Sequence, residues 1–229
     1  MTHNMSARRS FMSGLGAAIA ALGLGSAAAA AQTPKPAAGF KPARHRQDDW
    51  LDKVPGKHRV FIDAATASGA GEAILFANNL YTANKDAYAL GDSDLTIVIC
   101  LRHFATPFAF TDAMWAKYGK GMSAMVKFTD PRTHEAPSTN LYNSAAYGLE
   151  LPTLGNTIDA MIKRGTSFAI CDAATHFLAA QMAGPTGGNA AAIYKDLTAN
   201  TIPSSRFVPA GVVAVNRSQE RGYTLLYAG

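Results

Sequence analysis

Asp94-Leu-Thr-Ile-Val-Ile-Cys-Leu101 is an almost unbroken run of β-branched and apolar side chains behind a single carboxylate. A strand with one wet face alternates apolar and polar residues, whereas a run without alternation belongs to a strand covered on both faces, as in a parallel sheet. This stretch therefore predicts a central strand. Upstream, residues 58–63 form a second, shorter run that ends in the turn-forming Ala-Ala-Thr-Ala-Ser-Gly. Between the two strands, residues 71–86 place Ile74, Leu75 and Tyr81 at helical spacing, with Glu72 in the first turn where the helix dipole favours a carboxylate. Downstream, Thr106-Pro107 reads as N-cap and first residue of a helix that passes Phe110, Met114 and Trp115 and closes at Gly119 and Gly121. Helical spacing returns at Leu154, Ile158, Met161 and Ile162, stops at Gly165, and gives way to a strand over 167–171. Helices over 173–182 and 189–197, a short strand at 206–208, a helix from Pro209 to Arg221 and a last strand at 223–227 complete the pattern. Strands separated by helices predict a three-layer α/β/α domain with a wholly or mostly parallel sheet, whose working surface lies at the carboxyl ends of the strands.

The two ends of the chain differ in kind. Residues 1–31 read as an export signal: Arg8-Arg9 precede an apolar stretch broken by Gly14, Gly16, Gly23 and Gly25, and the segment ends in alanines that offer several cleavage sites. Ala7-Arg-Arg-Ser-Phe-Met12 resembles a twin-arginine motif, with Ala7 where Ser or Thr is usual. The stretch falls short of the ~20 apolar residues of a spanning helix, so no membrane anchor is expected to be retained. The predicted destination is the periplasm or another compartment outside the cytoplasm. Residues 32–57 are rich in Pro, Ala and basic side chains without an apolar period and read as a linker or arm, with Trp50 and Leu51 as its anchors. Residues 58–229 form the domain. Residues 129–153 hold three prolines and no clear period, a loop long enough to be functional or disordered.

Charge and cysteine content narrow the function. After removal of residues 1–31, 19 basic side chains face 16 acidic ones, a balance too mild for nucleic acid, and no basic cluster with interleaved aromatics appears. Two cysteines are too few for a disulfide framework, although an oxidising compartment permits one bridge. Ser68-Gly-Ala-Gly71 could cradle an anion through backbone N–H groups, but it lacks the lysine and spacing of a phosphate loop and the glycine pattern of a dinucleotide site. Asp112 and Trp115 read as a cap and a packing residue, and the eight methionines as core filler. No cofactor motif is present and no set of spaced ligands points to a metal.

Cys171 ends a strand and immediately precedes a helix, where free N–H groups and the helix dipole favour a thiolate. Asp172 next to it opposes that charge unless its side chain points away. His176, about a turn on, and His103, at the end of a neighbouring strand, are candidate basic or cationic partners. His103 with Arg102 could bind an anionic sulfur species or a metal, although a metal site calls for spaced partners that this single His lacks. The alternative is that Cys171 is a buried small hydrophobe, the common fate of a free cysteine. Cys100, one residue inside its strand end, reads as core or as a disulfide partner of Cys171.

Two stretches carry a resemblance. Gly165-Thr-Ser-Phe-Ala-Ile-Cys-Asp-Ala-Ala-Thr175 and Phe207-Val-Pro-Ala-Gly-Val-Val-Ala-Val-Asn-Arg-Ser-Gln-Glu-Arg-Gly-Tyr223 resemble the DsrE/DsrF family of sulfur-relay proteins, over most of residues 58–227. The resemblance implies a flavodoxin-like α/β/α fold, assembly into homo- or hetero-oligomers, a sulfur donor or acceptor protein as partner, and a persulfide carried on Cys171. The chain departs from the family in its export signal, in Arg102-His-Phe-Ala-Thr-Pro107 and in the excursion at 129–153. A non-enzymatic binding or assembly module on the same fold is the alternative function.

Overall fold

The apolar runs become strands β1 (His58–Ala64), β2 (Leu95–Leu101), β3 (Ser167–Cys171), β4 (Ser205–Val208) and β5 (Thr224–Ala228). Between and before them lie helices α1 (Trp50–Lys53), α2 (Ala67–Tyr88), α3 (Asp112–Val126), α4 (Ile158–Lys163), α5 (Asp172–Thr186), α6 (Ala190–Ala199) and α7 (Gly211–Gln219). The structure, a computed structural model, describes residue 39, residues 41–186 and residues 188–229. The export signal expected over 1–31 lies outside the described residues. The chain divides into Met1–Lys41 and Pro42–Gly229, and every element named here belongs to the second unit.

Among the described residues the strands form one sheet in the order β4-β3-β2-β1-β5, and every neighbouring pair is parallel. The quoted run, now β2, is buried at all seven positions, as a strand without alternation requires. Side chains of β1 alternate between two cores. Val60, Ile62 and Ala64 join one with α2, α3 and α5, while Phe61 joins another with Trp50, Leu51 and Ala214. The reason is topological. From β1 to β4 the chain steps one way across the sheet, and right-handed crossovers then place the helices of those connections on one face; the return from β4 to β5 reverses direction and puts α7 on the other.

Several element boundaries differ from the sequence expectation. Thr106-Pro107 does not start a helix: both residues are buried in a 3-10 stretch, His103–Ala109, and α3 begins at Asp112. The cause is pairing with a distant segment, since Phe110 bridges Thr201, Ile202 N–H donates to the Ala109 carbonyl at 2.9 Å, and Thr111 N–H donates to the Asn200 carbonyl at 3.1 Å. Gly119 and Gly121 do not close α3 either. They lie inside it, where a Cβ on Gly119 would meet the Pro137 carbonyl at 2.3 Å, and the helix ends beyond them with Lys127 in the left-handed region at φ 52°. Helix α2 starts four residues before Gly71, with the Thr66 hydroxyl accepting from Gly69 N–H at 2.9 Å. Residues 68–71 are therefore the first turn of that helix.

The excursion at 129–153 is packed rather than loose. The Asn140 amide donates to the Phe108 and Phe110 carbonyls at 2.9 and 3.1 Å, and the Tyr142 ring stacks on Phe108 at 4.3 Å while its hydroxyl donates to the Ala67 carbonyl at 2.7 Å. In the segment before β1, Trp50 and Leu51 are buried against the sheet face that carries α7. Arg221 and Tyr223 hold that segment from the other end of the chain. The Arg221 guanidinium lies 3.3 Å from the Asp49 and Asp52 carboxylates, and the Tyr223 hydroxyl donates to the Leu51 carbonyl at 2.6 Å.

Candidate functional site

Connections leave β3 and β4 toward opposite faces of the sheet, to α5 and to α7. In an open α/β sheet such a reversal splays the loops and opens a crevice at the carboxyl ends of the two strands. The crevice is present here as a cavity of about 370 Å³ walled by Cys171, Ala173 and Ala174 on the α5 side, by Ala210, Gly211 and Val212 on the α7 side, and by the segment after β2.

Cys171 is the last residue of β3, and residue and side chain together are 6% exposed. Its Sγ accepts the Ala174 N–H at 3.4 Å, so the thiol takes the place of a cap at the N-terminus of α5. The hydroxyl of Thr175 donates to the Cys171 carbonyl at 2.9 Å and fixes the strand-to-helix corner. Asp172 is drawn away toward α6: its carboxylate accepts the Tyr194 hydroxyl at 2.7 Å, which holds the Tyr194 phenol above its ordinary value.

The three candidate residues separate into two groups. His103 lines the same cavity as Cys171, exposed and held at φ 52°, with its ring 4.0 Å from that of Phe104. His176 does not line it. Its ring stacks on Tyr194 at 3.9 Å and its Nε2 lies 3.7 Å from the Asp172 carboxylate, so it adjoins the thiol only through Asp172. Of the two candidate partners, His103 thus faces the cavity of the sulfur, while His176 sits behind the helix turn. A helical offset of five residues from Cys171 carries His176 to the outer side of α5.

Arg102 also lines the cavity, and its charge is already engaged. Its Nε and Nη2 donate to the two carboxylate oxygens of Asp63 at 2.6 and 2.9 Å, and this bidentate pair raises the guanidinium above its usual value. Asp63, buried near the end of β1, was not singled out from the sequence; its signal was a carboxylate directly after the apolar run Val60–Ile62. Gly211 completes the arrangement, because a Cβ there would fall 2.4 Å from the Cβ of Arg102.

Cys100 is fully buried and its thiol faces the Gly211 carbonyl at 4.0 Å. Burial first, then the nearby Asp63 and Cys171, push its ionisation well above the ordinary thiol range. Both cysteines are free. Register sets Cys100 opposite Ala169, two residues before Cys171. Ordinary strand spacings then put the two Cα atoms about 8 Å apart, beyond the ~7 Å that a disulfide tolerates. Among the described residues no group of three or more His, Cys, Asp or Glu side chains could hold a metal ion, and no helix is long and apolar enough to cross a membrane. Comparisons of the chain with protein-family models, curated proteins and solved structures return no match.

Proposed function

We propose that the protein accepts or hands on sulfane sulfur as a persulfide on Cys171. The observation that carries this reading is the Ala174 N–H aimed at the Cys171 Sγ from the first turn of α5, at the wall of a cavity in the β3–β4 crevice. A helix N-terminus and an N–H donor both favour negative charge on sulfur, the nucleophilic state. The engagement of Asp172 by Tyr194 removes the carboxylate that would oppose that charge. In this reading His103 supplies or receives a proton across the cavity, and His176 is a positioning residue that helps to hold Asp172 aside.

The DsrE-like assignment is part of the same proposal. It is supported by the three layers, the parallel sheet and the cysteine at a strand end. The term flavodoxin-like applies to those layers alone, since the order 4-3-2-1-5 differs from the 2-1-3-4-5 of flavodoxin-type sheets. Export by the twin-arginine route, assembly into homo-oligomers and exchange of sulfur with a partner protein complete the reading.

Treatment of reduced, folded protein with a sulfane-sulfur donor, followed by intact mass measurement, tests it. The expected result is a one-sulfur adduct that disappears in Cys171→Ser. A second reading, a non-enzymatic binding or assembly module, is favoured by the exposure of Val212, Val213 and Tyr227. The absence of any adduct on folded protein selects that module and rejects sulfur chemistry.

A further inference from the structure

We infer that the cavity beside Cys171 binds the apolar body of an uncharged organic thiol or its persulfide, and not an inorganic sulfur anion. The persulfide half of this statement rests on the proposed sulfur chemistry; the binding half rests on the cavity alone. Phe104, Pro107, Met125, Phe177, Leu178 and Val212 supply apolar lining. Phe177 and Val212 remain 53% and 61% exposed, so the mouth is apolar as well as the interior. Large side chains left facing water at the rim of a concave apolar site are the usual mark of a ligand that covers them.

Charge argues in the same direction. Thiosulfate or an inorganic polysulfide needs an uncompensated cation, and the charge of the guanidinium at this site is matched by Asp63, which takes two of its five N–H donors. The pair Arg102–Asp63 is electrically neutral seen from the cavity. His103 is then the remaining cationic candidate among the lining residues, and it lies exposed at the edge. At ~30 Å³ per water in the liquid, the cavity has room for roughly a dozen waters, more than enough for a benzyl or short alkyl group with its sulfur atoms. Transfer from such a donor is balanced without any oxidant. The Cys171 thiolate attacks the outer sulfur of R–S–SH, an S–S bond forms at Sγ as the donor's S–S bond breaks, the proton stays on the transferred sulfur, and R–S⁻ leaves.

Two measurements on the full chain test the inference. In the first, the neutral fluorophore N-phenyl-1-naphthylamine is bound and displaced by benzyl mercaptan; thiosulfate should not displace it, and Phe177→Asp and Val212→Asp should each weaken binding by about tenfold, the worth of one buried apolar side chain. In the second, the one-sulfur adduct on Cys171 should form at least about tenfold faster from benzyl persulfide than from thiosulfate at equal concentration, because only the former gains that burial. Failure of the fluorophore and benzyl mercaptan to bind, or thiosulfate as the faster donor, overturns the inference while leaving the sulfur chemistry standing. Binding without an adduct from either donor upholds the apolar site and rejects the sulfur chemistry.

Discussion

At the scale of single residues, the site depends on atoms that are missing as much as on those present. Gly211 opens α7 with its Cα against the Arg102 side chain, and an alanine there would place a methyl 2.4 Å from the Arg102 Cβ, an atom too near the backbone to swing aside. Gly211→Ala is expected to destabilise the protein by about 1–3 kcal/mol, the usual range for overpacking, as read from urea denaturation. A midpoint equal to that of the native chain would show that α7 yields without cost. The position of Cys171 was legible in advance because a strand-to-helix junction is a local feature, set by four apolar residues followed by helix formers. The partners of that cysteine were not. Asp63 and Arg102 lie 39 positions apart and Tyr194 and Asp172 lie 22 apart, so neither pairing leaves a mark in any short window.

At the scale of elements, the same contrast holds between α2 or β2 and the start of α3. Strands buried on two faces and helices with a full apolar stripe announce themselves by period. The 3-10 stretch His103–Ala109 does not, because the hydrogen bonds that stop it from becoming a helix come from residues 200–202. The excursion at 129–153 shows no period for a related reason: its anchors, Asn140 and Tyr142, reach carbonyls of other elements. The segment Gln-Glu-Arg-Gly-Tyr223, which helped to carry the family resemblance, acts in this structure as a clasp on residues 45–52. Arg221→Ala should cost about 2 kcal/mol, below the usual 3–5 for breaking a buried ion pair, because Asp49 and Asp52 are half-exposed and regain water. Tyr223→Phe should cost about 1 kcal/mol for one lost hydrogen bond. Limited proteolysis should cut the Arg221→Ala protein within residues 42–57 sooner than the native chain; equal cleavage rates would remove the clasp from the account.

At the scale of the whole molecule, the parallel sheet and its flanking helices follow from the pattern of the sequence, but the strand order does not, since period says nothing about which edge the last strand joins. That last choice made the crevice beside Cys171, by sending α7 to the face opposite α5. The molecule also carries several protons sealed inside it. Burial raises the ionisation of Cys100 and of Tyr81 and Tyr142, and pushes Tyr223 up to about 12. Above the ordinary ~8.5 of a thiol and ~10 of a phenol, the unfolded chain releases these protons while the folded chain keeps them, so stability falls as pH rises through that window. Thermal midpoints should therefore decline steadily between about pH 9 and pH 11. A flat profile there would mean that these groups meet water in the native state.

Strand β5 flanks β1, the first strand to be made, and the Tyr223–Leu51 hydrogen bond joins positions 172 residues apart. A nascent chain must therefore wait with one side of β1 bare until Thr224–Ala228 are free. Contacts of such long sequence separation close slowly. Closure of the sheet thus coincides with the docking of residues 45–52, and a chain clipped just before Arg221 would keep that segment untethered and β1 without its outer neighbour.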